Sequence, residues 1–169
     1  MSEPTAQAPA GNQVRVTLSV AVPQALAFEI FTNEIDRWWI KGPKYRESGM
    51  RSGLLRLEPH VGGRLFESIE SDGTERVFEV GRVQAWEPPS RVVFTWRNGT
   101  FTPAEITEVE VTFDSTSTGT LVTVVHRGWA GLRPDHPARH GMPVAAFVRS
   151  VGRWWGDQMT SLRILAERR

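Results

Sequence analysis

Polar and apolar residues alternate along several short stretches of the chain, and this alternation predicts β-strands. The first stretch covers residues 14–22 (VRVTLSVAV). Six more follow between residues 54 and 129, and turn-forming residues separate them: LLRLEP, GRLFESIE, ERVFEVGRVQAW, RVVFTW, EITEVEVTFD and TLVTVVHRGW. Because the turns are short, each strand is expected to pair with its neighbour, and the pattern predicts an antiparallel meander.

Two regions show helical spacing instead. After Pro23, which suits the first turn of a helix, the string QALAFEIFT predicts a short helix, and residues 34–39 predict a second. Residues 144–167 form the longest helical pattern, about 35 Å at 1.5 Å per residue. Its apolar stripe advances by threes and fours through Val144, Val148, Val151, Trp155, Met159, Leu162 and Ala166.

The order of these elements predicts an α+β helix-grip fold. A curved antiparallel sheet of about seven strands with one apolar face needs a cover, and the long C-terminal helix is the element that can supply it. The two short helices after the first strand would close one end, and an apolar cavity would lie between sheet and helix. Residues 14–169 are expected to form this single domain, and the polar residues 1–13 a disordered tail.

Composition narrows the classes of function. The 20 basic and 19 acidic residues give a net charge of +1 and are mixed along the chain, so no nucleic-acid footprint is indicated. The sequence has no cysteine, no signal-peptide pattern and no apolar run of membrane-spanning length. A cytoplasmic protein is therefore expected. Nucleotide-binding, nucleophile-elbow and zinc-protease motifs are also missing from the sequence, so neither cofactor nor metal is expected.

Strand alternation places two polar residues, Glu67 and His126, among the apolar side chains that face the helix. Burying either without a partner would be costly. Two interpretations stay open. Both residues can be structural groups satisfied near the strand ends, or they can be the few polar groups that orient a ligand in an apolar pocket.

The inward-facing positions also give candidates for a cavity lining. The loop at residues 40–52 lies beside the Trp38–Trp39 pair and is expected to form a mobile mouth. The predicted ligand-binding residues are Trp39, Leu57, Leu65, Glu67, Phe94, Trp96, Val111, His126, Phe147, Val151 and Trp155.

Four strings in the sequence resemble a known family in order and spacing: EPHVGGRLFE (58–67), GRVQAWEPPSRVVFTW (81–96), GTLVTVVHRGW (119–129) and WWGDQMTSL (154–162). They are similar to the START-like (SRPBCC, Bet v-like) superfamily, in particular its bacterial branch named after the activator of heat-shock-protein-90 ATPase. The resemblance covers about residues 14–166 and implies the helix-grip fold. It also implies a cavity, since the superfamily includes lipid carriers, polyketide cyclases and ring-hydroxylase subunits.

The leading hypothesis is a protein that binds an apolar, aromatic or lipid-like small molecule, without a catalytic constellation. An alternative is a cyclase- or hydrolase-type enzyme that uses His126 or Glu67 as acid or base. A further alternative is an interaction or chaperone-associated module. An exposed sheet face with Phe78 and Val80 would then support contacts such as a homodimer.

Overall fold

The strands predicted from alternation form one antiparallel sheet. The computed structural model describes residues 4–6, 12–49 and 53–169. The strands are β1 (Thr5–Ala6), β2 (Gln13–Val20), β3 (Gly53–Leu57), β4 (Arg64–Ser71), β5 (Thr74–Glu87), β6 (Arg91–Trp96), β7 (Thr107–Thr116) and β8 (Gly119–Arg127). Their order across the sheet is β1-β2-β8-β7-β6-β5-β4-β3, so β2 crosses to pair with β8 and the later strands run as a meander.

The helices lie where the spacing predicted them. They are α1 (Gln24–Thr32), α2 (Ile35–Trp38) and α3 (Val144–Ala166), with 3₁₀ turns at Trp129–Gly131 and Pro137–Arg139. Pro23 and Pro143 lie immediately before α1 and α3, as N-cap residues. Proline is tolerated there because the first N–H groups of a helix have no intrahelical acceptor. None of the described helices has the length and apolar character that crossing a bilayer requires.

The predicted α+β helix-grip architecture is confirmed. Strands β2 to β8 form the curled sheet of seven, and α3 packs its apolar stripe onto the inward face. The short strand β1 was not predicted: Thr5 pairs with Thr17 and Ala6 with Val16, within the segment expected to be a disordered tail. Residues 1–3 and 7–11 lie outside the described residues.

Two register irregularities in β5 explain where strand alternation failed. Leu65 pairs with Gly81 whereas Phe66 pairs with Glu79, so Val80 is an extra residue in the ladder. A second shift lies between Val83 and Ala85. An extra residue changes which face the following side chains occupy. As a result, Val80 and Val83 are both buried in the same core.

The predicted exposed apolar face is therefore wrong. Val80 is buried, and Phe78 is half-buried and packs against the core. Ala85, which simple alternation from Val83 would place inward, is only half-buried. Its neighbour Trp86 packs inward instead, 5.2 Å from Phe28 between ring centroids. A homodimer stays a prediction, but Phe78 and Val80 do not supply its surface.

Gly81 lies beside the first irregularity, on the strand that carries the extra residue. A Cβ atom at this position would lie 1.7 Å from the carbonyl oxygen of Thr95 on β6. Only glycine permits this approach of the two backbones. The close approach brings the backbones of β5 and β6 together next to Trp96, the last residue of β6.

Candidate functional site

An aromatic cleft of about 460 Å³ opens at one end of the sheet. The register places Trp96 opposite Thr107 and His126 opposite Val109, so β6 and β8 end, and β7 begins, on the same side. The first half of α3 covers this end. The cleft is lined by Pro43, Lys44, Trp96, Asn98, Phe101, His126, Trp129, His140, Met142, Phe147, Ser150, Val151, Arg153 and Trp154.

Aromatic rings form a continuous wall in this cleft. The Trp96 ring lies 5.6 Å from Phe101 and 5.9 Å from Trp154 between centroids, with the rings edge to face. Trp129 and Phe147 continue the wall at 5.1 Å, also edge to face. Edge-to-face pairs are the favoured arrangement because the positive ring edge meets the negative face. The wall therefore combines rigidity with a large apolar surface.

A smaller pocket of about 70 Å³ lies next to the cleft and shares Trp96 with it. Its lining includes Trp39 and Glu67. The Glu67 carboxylate is buried and accepts hydrogen bonds from the backbone N–H groups of Glu47 (2.7 Å) and Ser48 (3.1 Å). Glu67 thus faces inward as predicted, and its carboxylate anchors the loop that precedes β3.

The same loop is fastened to α3. The indole N–H of Trp154 donates to the carbonyl oxygen of Lys44 at 2.9 Å, and the Tyr45 hydroxyl donates to Asp157 at 3.1 Å. The backbone N–H of Ile40 donates to the side-chain oxygen of Gln158 at 2.8 Å. The described part of the predicted mobile mouth, residues 40–49, is therefore tied to both the sheet and the helix. Residues 50–52 lie outside the described residues.

Arg46 stabilises this loop through buried hydrogen bonds, a role that the sequence did not indicate. Its buried guanidinium donates to the Asp36 carboxylate at 2.7 Å, to the Asp36 carbonyl at 2.9 Å and to the Trp39 carbonyl at 2.6 Å. Burial acts to raise the pKa of Asp36, but the Leu55 N–H and the Arg46 guanidinium outweigh it and hold that pKa below its usual range. The pair is thus ionised and links α2 to the loop.

His126 takes part in a buried chain of hydrogen bonds. The indole N–H of Trp155 donates to its Nδ1 at 3.0 Å, so Nδ1 carries a lone pair and the proton of the neutral ring is on Nε2. Nε2 lies 2.9 Å from the Thr107 hydroxyl, which in turn donates to the Trp96 carbonyl at 2.5 Å. Every link has one donor and one acceptor. The chain joins α3 to β8, β7 and β6.

Burial, with a smaller contribution from the positive charge of Arg127, lowers the pKa of His126 to about 3. The ring is therefore neutral near neutral pH, and both nitrogens are engaged within the protein. A general base needs a free lone pair within reach of a substrate proton. The arrangement favours the structural interpretation of His126.

The predicted lining residues divide into three groups. Trp96, His126, Phe147 and Val151 line the cleft, while Trp39 and Glu67 line the small pocket. The five others, which line neither, are buried in the core: Leu57, Leu65, Phe94, Val111 and Trp155. These five residues are thus packed in the hydrophobic core, whereas the aromatic cleft lies at the end of the sheet. A role in ligand binding stays a prediction for all eleven residues.

Several residues that line the cleft were not predicted, although two of them lie close to predicted lining positions in the sequence. Trp129 ends the string of the last strand, and Trp154 lies beside the predicted apolar stripe of α3. Phe101 and Met142 belong to loops, for which alternation gives no face. The positions of these residues depend on how the loops fold back over the end of the sheet.

The lowered pKa of His126 predicts how the stability of the protein depends on pH. The unfolded chain takes up this proton near the ordinary value of 6.5, whereas the native protein takes it up near 3. Between these values the unfolded state binds more protons. The contribution to stability is therefore complete above the unfolded pKa and is lost as the pH falls, with a slope of up to about 1.4 kcal/mol per pH unit.

Chemical denaturation of the wild-type protein and of His126→Phe over this acidic range would measure the effect. The His126→Phe variant should be less stable at neutral pH, but its free energy of unfolding should fall less steeply as the pH is lowered. His60→Gln is the control for the loss of a surface histidine. The pKa of His136 is also lowered by burial, but this histidine is present in both proteins and cancels in the difference. Parallel curves would contradict the assignment.

The comparisons with known proteins agree with this architecture. The family model described as Activator of Hsp90 ATPase homolog 1-like protein matches residues 21–160. The chain belongs to this family. The resemblance drawn from the four sequence strings is thereby confirmed, and with it the relation to the SRPBCC type of fold, which commonly binds ligands.

Solved structures show the same fold at low identity. A protein of Nitrosomonas europaea is 18% identical, with a TM-score of 0.65, and the match covers 95% of this chain and 97% of that one. A protein of Mesorhizobium loti is 21% identical, with a TM-score of 0.60 and coverages of 92% and 97%. A protein of the dynemicin biosynthetic locus is 22% identical, with a TM-score of 0.60 and coverages of 92% and 47%. No curated protein matches the chain.

Within the described residues, no group of three or more His, Asp or Glu side chains could hold a metal ion.

Proposed function

We propose that this family member binds a small molecule with an aromatic or aliphatic body in the cleft at the end of the sheet. The observation that carries the proposal is the cleft itself, about 460 Å³ with a wall of tryptophan and phenylalanine rings. Ligand sites are typically clefts of roughly 300–1,000 Å³, mostly apolar and with a few polar groups. The cleft has this size and this composition.

Its construction also supports binding. The hydrogen-bond chain through His126 fixes the residues beneath the aromatic wall. Hydrogen bonds from or to Glu67, Arg46 and Trp154 hold the adjacent loop at residues 40–49. A preformed site loses less conformational entropy when it takes a ligand. The similar fold of a protein from a biosynthetic locus agrees with a small molecule as the ligand.

Filling the cleft tests the proposal. Ser150 is half-buried in α3 and lines the cleft, so Ser150→Trp would place a large ring in the space. We expect the affinity for the neutral probe 2-naphthylmethanol to fall by about tenfold or more, since the loss of even part of an aromatic contact costs over 1 kcal/mol. Isothermal titration calorimetry gives the affinity without relying on tryptophan fluorescence.

Ala145→Trp is the matched control, because Ala145 is an exposed residue of the same helix outside the cleft lining. It should bind the probe like the wild type, and thermal unfolding would verify that both variants are folded. Binding by Ser150→Trp at wild-type affinity would refute a site in this cleft. The proposal would also be refuted if the wild-type protein bound neither 2-naphthylmethanol nor any of the related naphthalene probes described below.

A further inference from the structure

The charged side chains that line the cleft are all basic. Its lining includes Lys44 and Arg153 but no aspartate or glutamate. Lys44 lies 3.9 Å from Asp157, a surface contact of the kind that contributes little. Arg153 is exposed, and its guanidinium forms no ion pair with any residue in the part of the chain that the structure describes. The mouth of the cleft thus offers cationic groups to a ligand.

A second feature lies deeper in the cleft. Trp129 is 2% exposed, and its indole N–H has no acceptor among the residues that are described. The ring is enclosed by other cleft residues: His126 at 4.3 Å, Phe147 at 5.1 Å and Phe101 at 6.3 Å between centroids. A buried donor without an acceptor costs about 1–3 kcal/mol. Because this nitrogen is closed to solvent, an acceptor atom on a ligand would reach it, and recover this free energy, once one of the enclosing rings shifts.

We infer that the cleft selects an amphipathic oxyanion, with an apolar body against the aromatic wall and a carboxylate-like group that meets Arg153, Lys44 and the indole N–H of Trp129. This inference rests on the proposed function and adds the chemical class of the ligand. Arg153 is suited to the task because a guanidinium can hold a carboxylate through two parallel hydrogen bonds. The indole N–H supplies a third donor, which is neutral and shielded from water.

Three probes of the same shape separate charge from apolar contact. These are 2-naphthoate, the neutral 2-naphthylmethanol and the cationic 2-naphthylmethylammonium, each titrated calorimetrically. We expect naphthoate to bind about tenfold more tightly than the alcohol and the ammonium to bind most weakly, and the preference to shrink with added salt. Equal affinities for all three would overturn the inference and leave the proposed function intact. Binding of none would overturn both.

Substitutions then assign the charge preference to residues. Arg153→Gln and Lys44→Gln, singly and together, should lower the affinity for naphthoate by a larger factor than the affinity for the alcohol, and the double substitution should remove most of the preference. Arg149→Gln is the control, since Arg149 is an exposed cation of the same helix that does not line the cleft. A preference that survives the double substitution, or that falls equally in the control, would contradict the role of these two residues.

The indole N–H gives a readout of its own. In ¹H–¹⁵N spectra, the Trp129 side-chain resonance, assigned through Trp129→Phe, should move on addition of naphthoate because a new hydrogen bond forms. 2-Methylnaphthalene, which fills the same space without an acceptor, should shift this proton much less. Equal shifts with the two probes would show that the indole donor does not meet the ligand's oxygen, and would remove Trp129 from the inference.

Discussion

Arg46→Met is expected to lower the free energy of unfolding by about 3 kcal/mol, although Arg46 lies in a loop. The substitution would leave the Asp36 carboxylate without its guanidinium and the carbonyls of Asp36 and Trp39 without their donor. Breaking a buried ion pair from one side costs about 3–5 kcal/mol. The lower end applies here because the Asp36 side chain keeps 28% of its surface in contact with water.

Arg37→Met is the matched control in α2. Arg37 is exposed and pairs with Glu34 at 2.6 Å across one helical turn, an interaction worth about 0.5 kcal/mol or less. Urea denaturation followed by circular dichroism would compare the two variants. If Arg46→Met were no more destabilising than Arg37→Met, the loop would not depend on this buried brace.

Trp155→Ala is expected to cost about 4 kcal/mol of unfolding free energy. The Trp155 ring is completely buried, contacts Trp39 and Trp154 edge to face, and supplies the only hydrogen bond described for Nδ1 of His126. Truncating a buried aromatic residue to alanine costs about 3–5 kcal/mol. The loss of the donor also leaves a buried acceptor unsatisfied.

Trp155→Phe changes the balance of these two contributions, because it keeps a buried aromatic ring and removes the N–H donor together with a smaller part of the packing. It should cost about 1–2 kcal/mol. Ile164→Ala is the control on the same helix: Ile164 is 49% exposed, and its truncation should cost less than about 1 kcal/mol. Denaturant titration measures all three variants. A Phe variant as unstable as the Ala variant would mean that the hydrogen bond outweighs the packing.

The strands of the domain were predictable because side chains alternate between the two faces of a strand. The same alternation determines the sequence pattern and which residues are buried. In β7, Val109, Val111 and Phe113 alternate in the sequence and are all fully buried, as the two-residue period of a strand requires. The rule failed in β5, where two register shifts bring Val80, Val83 and Trp86 to one side. Bulges depend on the approach of neighbouring strands, which the sequence of one strand does not contain.

The candidate site was predictable only in part. Alternation identifies Phe94 and Val111 as inward-facing, but it cannot show that these two are enclosed in the core whereas Trp96 and His126 line an open cleft. Arg46 escaped prediction for a related reason. A basic residue in a polar loop is usually exposed, and here its acceptors come from α2 and become neighbours only in the folded chain.

The hydrogen-bond chain through Trp155, His126, Thr107 and the Trp96 carbonyl has a consequence for how this sequence can evolve. A change at one position alone, such as Thr107→Val, leaves a buried donor or acceptor without a partner. Replacing Trp155, His126 and Thr107 together by apolar side chains removes the side-chain donors and acceptors of the chain and so avoids most of that cost. Among descendants of this sequence, the three side chains should therefore persist as a set or be replaced as a set, with single replacements rare.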